Sequence, residues 1–252
     1  LNEPRPTVRI FTLRERPELA DELERLAGEG WPRFMRQRDA LGLGQHWPRL
    51  FDDFADWQFF VCDSFDRVVA AGHSVPFVWD GTSADLPGSM AAILEGAVRA
   101  RAEARRPTAL SALAALVGVK HRGQGLSRRI LEGMRALAGR WHLALVAPVR
   151  PTLKTAYPLT AMDHYVRWRD DEDLPLDPWM RVHARMGASV GHVIPRAMVI
   201  VGTVTEWESW TAMRFPESGP YVVPGALQPV VIDREHDEGR YEDPNVWMLH
   251  RQ

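Results

Sequence analysis

The apolar and polar positions change period several times along the chain, and each change marks an element. Residues 7–12 are rich in β-branched side chains and read as an opening strand, followed by an amphipathic helix over 17–27. A second helical stretch, over 46–57, puts Leu50, Phe51, Phe54 and Trp57 on one face. Two strand-like runs follow, 58–62 and 67–78, separated by Asp63, Ser64, Phe65 and Asp66 as a hairpin turn. A loop over 80–88 leads to a helix over 90–104, whose C-terminal end carries Arg99 and Arg101, with Arg105 and Arg106 just beyond, where cations suit the helix dipole.

From Thr108 the character changes. Residues 109–119 are almost wholly apolar, residues 127–138 form an amphipathic helix through Ile130, Leu131, Met134 and Leu137, and 143–149 is a short apolar strand. Alanine and leucine over 109–116 favour helix, yet the run stops at a glycine-rich turn that itself opens a helix, so it reads as a strand. A strand–turn–helix–strand unit implies α/β architecture. Residues 151–177 form a long, proline-punctuated connection of the kind that covers a site. A helix over 178–186 begins with Asp177 as N-cap and Pro178 in its first turn. Residues 197–204 read as a buried strand, and 221–247 alternates strand and turn signals, with Pro224-Gly225 and Glu238-Gly239 as punctuation.

Composition narrows the class. A formal net charge of −2 over 252 residues gives no footprint for a nucleic-acid partner. The single cysteine, Cys62, excludes an intrachain disulfide and a cysteine-rich metal site, and fits a reducing compartment. The nine histidines form no H-x-x-x-H or H-E-x-x-H pair, so no metal is expected. Residues 2–24 are charged throughout and do not read as a secretory leader, and the longest apolar run is too short to span a bilayer. A cytoplasmic location is therefore expected, with no membrane partner.

The informative segment runs from Leu116 to Leu131, where a Val-x-Val strand enters Arg122, Gly123, Gln124, Gly125, Leu126 and Ser127 and then a helix. Backbone N–H groups in such a turn point into one concavity, and the helix N-terminus adds partial positive charge, so a diphosphate fits there. The third glycine of a dinucleotide fingerprint is missing, as is the Gly-Lys-Ser/Thr of a P-loop. The alternative is a structural strand–helix turn that holds two glycines.

This segment resembles the GNAT acyltransferases, whose (R/Q)-x-x-G-x-(G/A) motif sits at this junction; Arg122, Gly123, Gln124, Gly125 and Leu126 match it, and Ser127 replaces the usual small residue. The motif covers about sixteen residues, and the order of strands and helices extends the likeness over 7–204. The resemblance implies an α/β fold: a single GNAT-like domain over 1–252, with a central mixed sheet flanked by helices, a core over 7–204, an insertion over 80–106 and a C-terminal extension over 205–252. It implies acetyl-CoA or another acyl-CoA as co-substrate, with its pyrophosphate at Arg122, Gly123, Gln124, Gly125, Leu126 and Ser127. It also implies that the strand around Val117 and Val119 offers backbone groups to the pantetheine arm and the thioester carbonyl.

The chain departs from the family in two places. Where the family has an acid tyrosine, four residues before a glycine at a helix end, this chain has His183 before Gly187. A histidine there can serve as acid or base, or simply be packed. Residues 111–119 contain no carboxylate to deprotonate an amine, leaving Asp163, Glu206, Glu208 or His183 as candidate bases. Thr152, Lys154 and Tyr157 follow the strand that splays in this fold and read either as a rigid proline-rich surface loop or as candidates for the acceptor pocket. Trp207 and Trp210 read as a pocket wall or a packed helix face, and 233–242 as a solvated hairpin. The expected function is transfer of an acetyl or other short acyl group from acyl-CoA to a small-molecule amine. The rivals are a GNAT-like malonyl-CoA decarboxylase or S-acyltransferase to a carrier protein's thiol, using His183 with Thr152 or Thr155, and a non-catalytic acyl-CoA-binding module. A homodimer is compatible with each.

Overall fold

A computed structural model describes residues 8–250; Thr7, which the sequence places in the first strand, lies outside them. The chain runs β1 (Arg9–Thr12), α1 (Ala20–Gly30), α2 (Leu43–His46), α3 (Arg49–Asp52), β2 (Gln58–Cys62), β3 (Val68–Phe77), α4 (Met90–Ala102), β4 (Ala109–Val117), α5 (Leu126–Arg140), β5 (Ala144–Val149), α6 (Met162–Tyr165), α7 (Pro178–Arg185), β6 (Ala188–Gly202), α8 (Val204–Thr211), β7 (Gly219–Tyr221), β8 (Val230–Asp233) and β9 (Glu238–His250). The helix expected over 46–57 is instead two short turns and a 3-10 turn. Pro48, the third residue of the run, has no N–H with which to continue α2 and instead caps α3, though Leu50 and Phe54 still bury the face the pattern assigns them.

The strands form one sheet in the order β1-β2-β3-β4-β5-β9-β8-β7, with β6 along β9. Every pairing is antiparallel except β4 with β5. The strand reading of 109–116 is correct against its helix propensity: buried between layers, the alanine-rich strand is fixed by tertiary packing. The boundary drawn at residue 205 needs correction. β9, inside the segment read as an extension, pairs with β5 over 145–149 and with β6 along its length, so it belongs to the middle of the sheet. The strand expected over 197–204 is also longer, reaching back to Ala188.

Helices cover both faces. Leu126, Ile130, Leu131 and Met134 of α5 pack on Phe59, Val61, Leu110 and Leu145, and Met180 of α7 packs on Ala147, Val149, Val246 and Met248. The next residues along the same strands, Ala109, Val146 and Trp247, face the other way, against Ile93, Leu94 and Ala97 of α4 and Leu50 of α3. Leu23 and Leu26 of α1 cover Phe60, Cys62 and Ala71 on that side. Among the described residues no helix is long and apolar enough to cross a membrane.

Candidate active site

The parallel contact between β4 and β5 covers only Ala109 to Ser111 against Ala144 to Val146. Beyond it β4 continues to Val117 beside β3 alone, and β5 turns along β9, leaving a wedge between them. On β4 the residue after Ala112 is bulged, since Ser74 faces Ala112 and His73 faces Ala114. The N–H of Gly118 bonds to the carbonyl of Val69 at 3.0 Å. In an antiparallel ladder such pairs alternate, so the opposed pair Val117 and Ala70 is of the other kind and Val117 turns its N–H and C=O toward the wedge.

β4 ends in the glycine turn. Gly123 and Gly125 have φ of +79° and +74°, a left-handed conformation natural to glycine, and a Cβ on either would meet nothing within 4 Å. The N–H groups of Gly123, Gln124, Gly125, Leu126 and Ser127 donate to no protein acceptor among the described residues, and α5 begins at Leu126. Five successive unbonded amides at a helix N-terminus, with open space beside Gly123 and Gly125, suit a diphosphate. Two of the assigned groups are engaged differently. The N–H of Val119 donates to Glu29 Oε2 at 3.0 Å, and Arg122 reaches the carbonyl of Glu29 at 3.4 Å. Val119 thus ties the turn to α1, whereas the wedge is faced by Val117.

α7 is built as its sequence indicates. Asp177 Oδ1 accepts from the N–H groups of Trp179 and Met180, and Oδ2 accepts from the N–H of Leu153 and the hydroxyl of Tyr165, so one buried carboxylate pins α7, α6 and the segment after β5 together. One turn from Gly187, His183 is only 1% exposed, with its ring at 4.4 Å from that of Trp179. His183 Nδ1 lies 3.0 Å from Nε2 of His250, the last residue of β9. The outer nitrogens, His183 Nε2 and His250 Nδ1, are buried without partners. Burial lowers His183 to about 3, with a smaller contribution from His250, and lowers His250 to about 4, so both rings are neutral. A neutral pair shares one proton across its contact, leaving one outer nitrogen as donor and the other as acceptor.

His250 was not found from sequence, since 67 positions separate it from His183 and no local pattern marks it. His73 was missed for the same reason. It is 3% exposed on β3, and burial alone lowers it to about 4. The three histidines predict acid sensitivity. Each binds a proton in the unfolded chain below about 6.5 but not in the native one, so stability is full above that value and falls as pH drops toward 4. The slope is about 1.4 kcal/mol per pH unit for each group. Urea melts should therefore show a loss of at least about 2 kcal/mol between pH 7 and pH 5; equal unfolding free energies would contradict the burial of these rings as neutral species.

The other candidates are otherwise occupied. Lys154 is fully buried, with Nζ donating to the carbonyls of Tyr157 and Leu227, and burial lowers it to about 8. Tyr157 is exposed and packs edge-on against Trp168. Thr155 Oγ1 donates to the carbonyl of Thr152, and neither threonine is bonded to His183. Glu206 closes the capping box of α8, Glu208 accepts from the N–H of Phe215 and pairs with Arg214, and Asp163 is exposed. Trp207 is a packed helix face, donating from Nε1 to the carbonyl of Gly239 at 2.7 Å. Among the described residues no group of three histidine, cysteine, aspartate or glutamate side chains is placed to hold a metal ion.

No family model matches the chain. It is 32% identical, over 277 aligned positions, to arginine N-acetyltransferase avaD of Aspergillus versicolor, covering 97% of this chain and 94% of that protein. Among solved structures, the loading GNATL domain of CurA from Lyngbya majuscula superposes with a TM-score of 0.61 at 15% identity, covering 97% of each chain. The GphF GNAT-like decarboxylase, solved with isobutyryl-CoA, gives 0.59 at 18% identity, covering 97% of this chain and 98% of that one. At these identities the two structures speak to the fold.

Proposed function

The chain belongs to the GNAT superfamily of N-acyltransferases, and on that premise we propose that it transfers an acetyl group from acetyl-CoA to arginine or an arginine-bearing small molecule. The observation that carries the cofactor half is the open edge of β4 running into five unbonded amides at the start of α5. The acceptor half rests on the arginine N-acetyltransferase relative, which matches over nearly the full length of both chains.

In this reading the pyrophosphate lies on the turn around Gly123 and Gly125, and the pantetheine arm follows β4 past Val117 into the wedge. The neutral acceptor nitrogen attacks the thioester carbon, and the C–S bond breaks as the C–N bond forms. Proximity supplies most of the acceleration, helped by backbone N–H groups that polarise the carbonyl. His183 relays to the departing sulfur the proton that the acceptor nitrogen sheds once the C–N bond has formed: a neutral ring with an unpartnered Nε2 can accept that proton and, once charged, donate it.

The test is an assay that follows both CoA and the acceptor by mass spectrometry, with acetyl-CoA or malonyl-CoA as donor. Release of CoA matched by mono-acetylated arginine or its derivative is the expected result. Rapid decarboxylation of malonyl-CoA without transfer to any amine would replace this reading with the decarboxylase one. Binding of acyl-CoA without turnover on any acceptor would leave a binding module.

A further inference from the structure

An acceptor amine, such as the α-amino group of arginine, reaches neutral solution as an ammonium ion, and the strand beside the wedge has no carboxylate to deprotonate it. We propose that His73 is the general base that takes the proton from the acceptor nitrogen, with Gln58 fixing its tautomer. This rests on the reading of acyl transfer to a nitrogen given above.

The tautomer follows from hydrogen-bond chemistry. Gln58 is fully buried, and its amide nitrogen donates to two carbonyls, those of Phe54 at 3.0 Å and Ser74 at 2.8 Å. Carbonyls only accept, so the NH2 group must face them and Oε1 must face the histidine. His73 Nδ1 lies 3.1 Å from that oxygen, which also only accepts, so Nδ1 carries the ring proton. In the neutral ring Nε2 is then a bare lone pair, and no protein donor meets it among the described residues.

Position gives the lone pair its use. His73 is paired with Ala114 on β4, next to the bulge and just past Ser111, where β5 departs. Adjacent strands lie about 5 Å apart, so the ring stands one strand from the apex of the wedge. Its ring packs against Trp47 and Phe51, beside α3 on the face away from α5 and α7. The two histidines thus stand on opposite faces of the sheet, His183 on the side of α5 and His73 on the side of α3. The balance is complete: the ammonium proton passes to His73 Nε2, the nitrogen gains the acyl carbon as the C–S bond breaks, and the second proton shed by the nitrogen passes through His183 to the thiolate.

The titratable and charged groups on the elements around His73 are His46 of α2, Asp52 and the Arg49–Asp53 pair at α3, and Glu95, Arg99 and Arg101 of α4; β4 has none. None contributes to the lowered value of His73, which comes from burial.

His73→Phe should lose about 10²–10⁴-fold in turnover at pH 7 while binding acetyl-CoA normally. The loss should shrink as pH rises, because solution then deprotonates the acceptor. A folded variant with wild-type turnover, or one whose loss is the same at pH 7 and pH 10, overturns the proposal. A second measurement needs no variant. Nitrogen-15 NMR of the histidine-labelled wild type should show His73 protonated at Nδ1 and bare at Nε2 at neutral pH, and the reverse tautomer overturns it. Wild-type acetylation of arginine is the control. If it is absent, the functional reading fails; if it is present and His73→Phe matches it, only the base assignment fails.

Discussion

Replacing His183 with phenylalanine should reduce turnover by about 10²–10⁴-fold, the usual worth of a positioned acid–base group. Phenylalanine keeps the ring against Trp179 and the bulk on α7 but removes both nitrogens. Acetyl-CoA affinity should be unchanged, because the amides of 123–127 lie on another element. Folding needs a separate check, since the substitution strips His250 Nε2 of its partner, and a buried unpaired polar atom costs about 1–3 kcal/mol. Turnover near the wild-type rate in a folded, CoA-binding variant would show that His183 packs α7 onto β9 and does nothing chemical.

The parts of this site that were legible in the sequence are local. The glycine turn, the strand before it and the amphipathic helix after it announce themselves within sixteen residues, because a diphosphate cradle needs backbone freedom and a helix start in immediate succession. Asp177 and Pro178 likewise mark the start of α7 by capping chemistry alone. The parts that were not legible are long-range. Nothing between Glu238 and His250 says that this strand lies between β5 and β6, because partner choice in a sheet depends on the rest of the chain. His250 and Gln58 acquire meaning only through His183 and His73, which no spacing rule connects to them. The helix expected over 46–57 shows the reverse failure: a sound periodic pattern, interrupted in backbone by Pro48 yet largely preserved in burial.

Placing a negative charge in the glycine turn should abolish cofactor binding. Gly125 is the N-cap of α5, with φ of +74°, and space is open around its missing Cβ. Aspartate and asparagine are the residues that best tolerate the left-handed conformation after glycine, and they have nearly the same shape. Comparing Gly125→Asp with Gly125→Asn therefore separates charge from backbone strain, which a valine at this position would confound. Against a pyrophosphate the carboxylate faces like charge at close range, a juxtaposition that costs several kcal/mol. The measurement is calorimetric titration of acetyl-CoA into the wild type and both variants. The aspartate variant should bind at least about 100-fold more weakly than the asparagine variant, a difference of about 2.8 kcal/mol. Equal affinities in two folded variants would contradict the assignment of acyl-CoA to this turn.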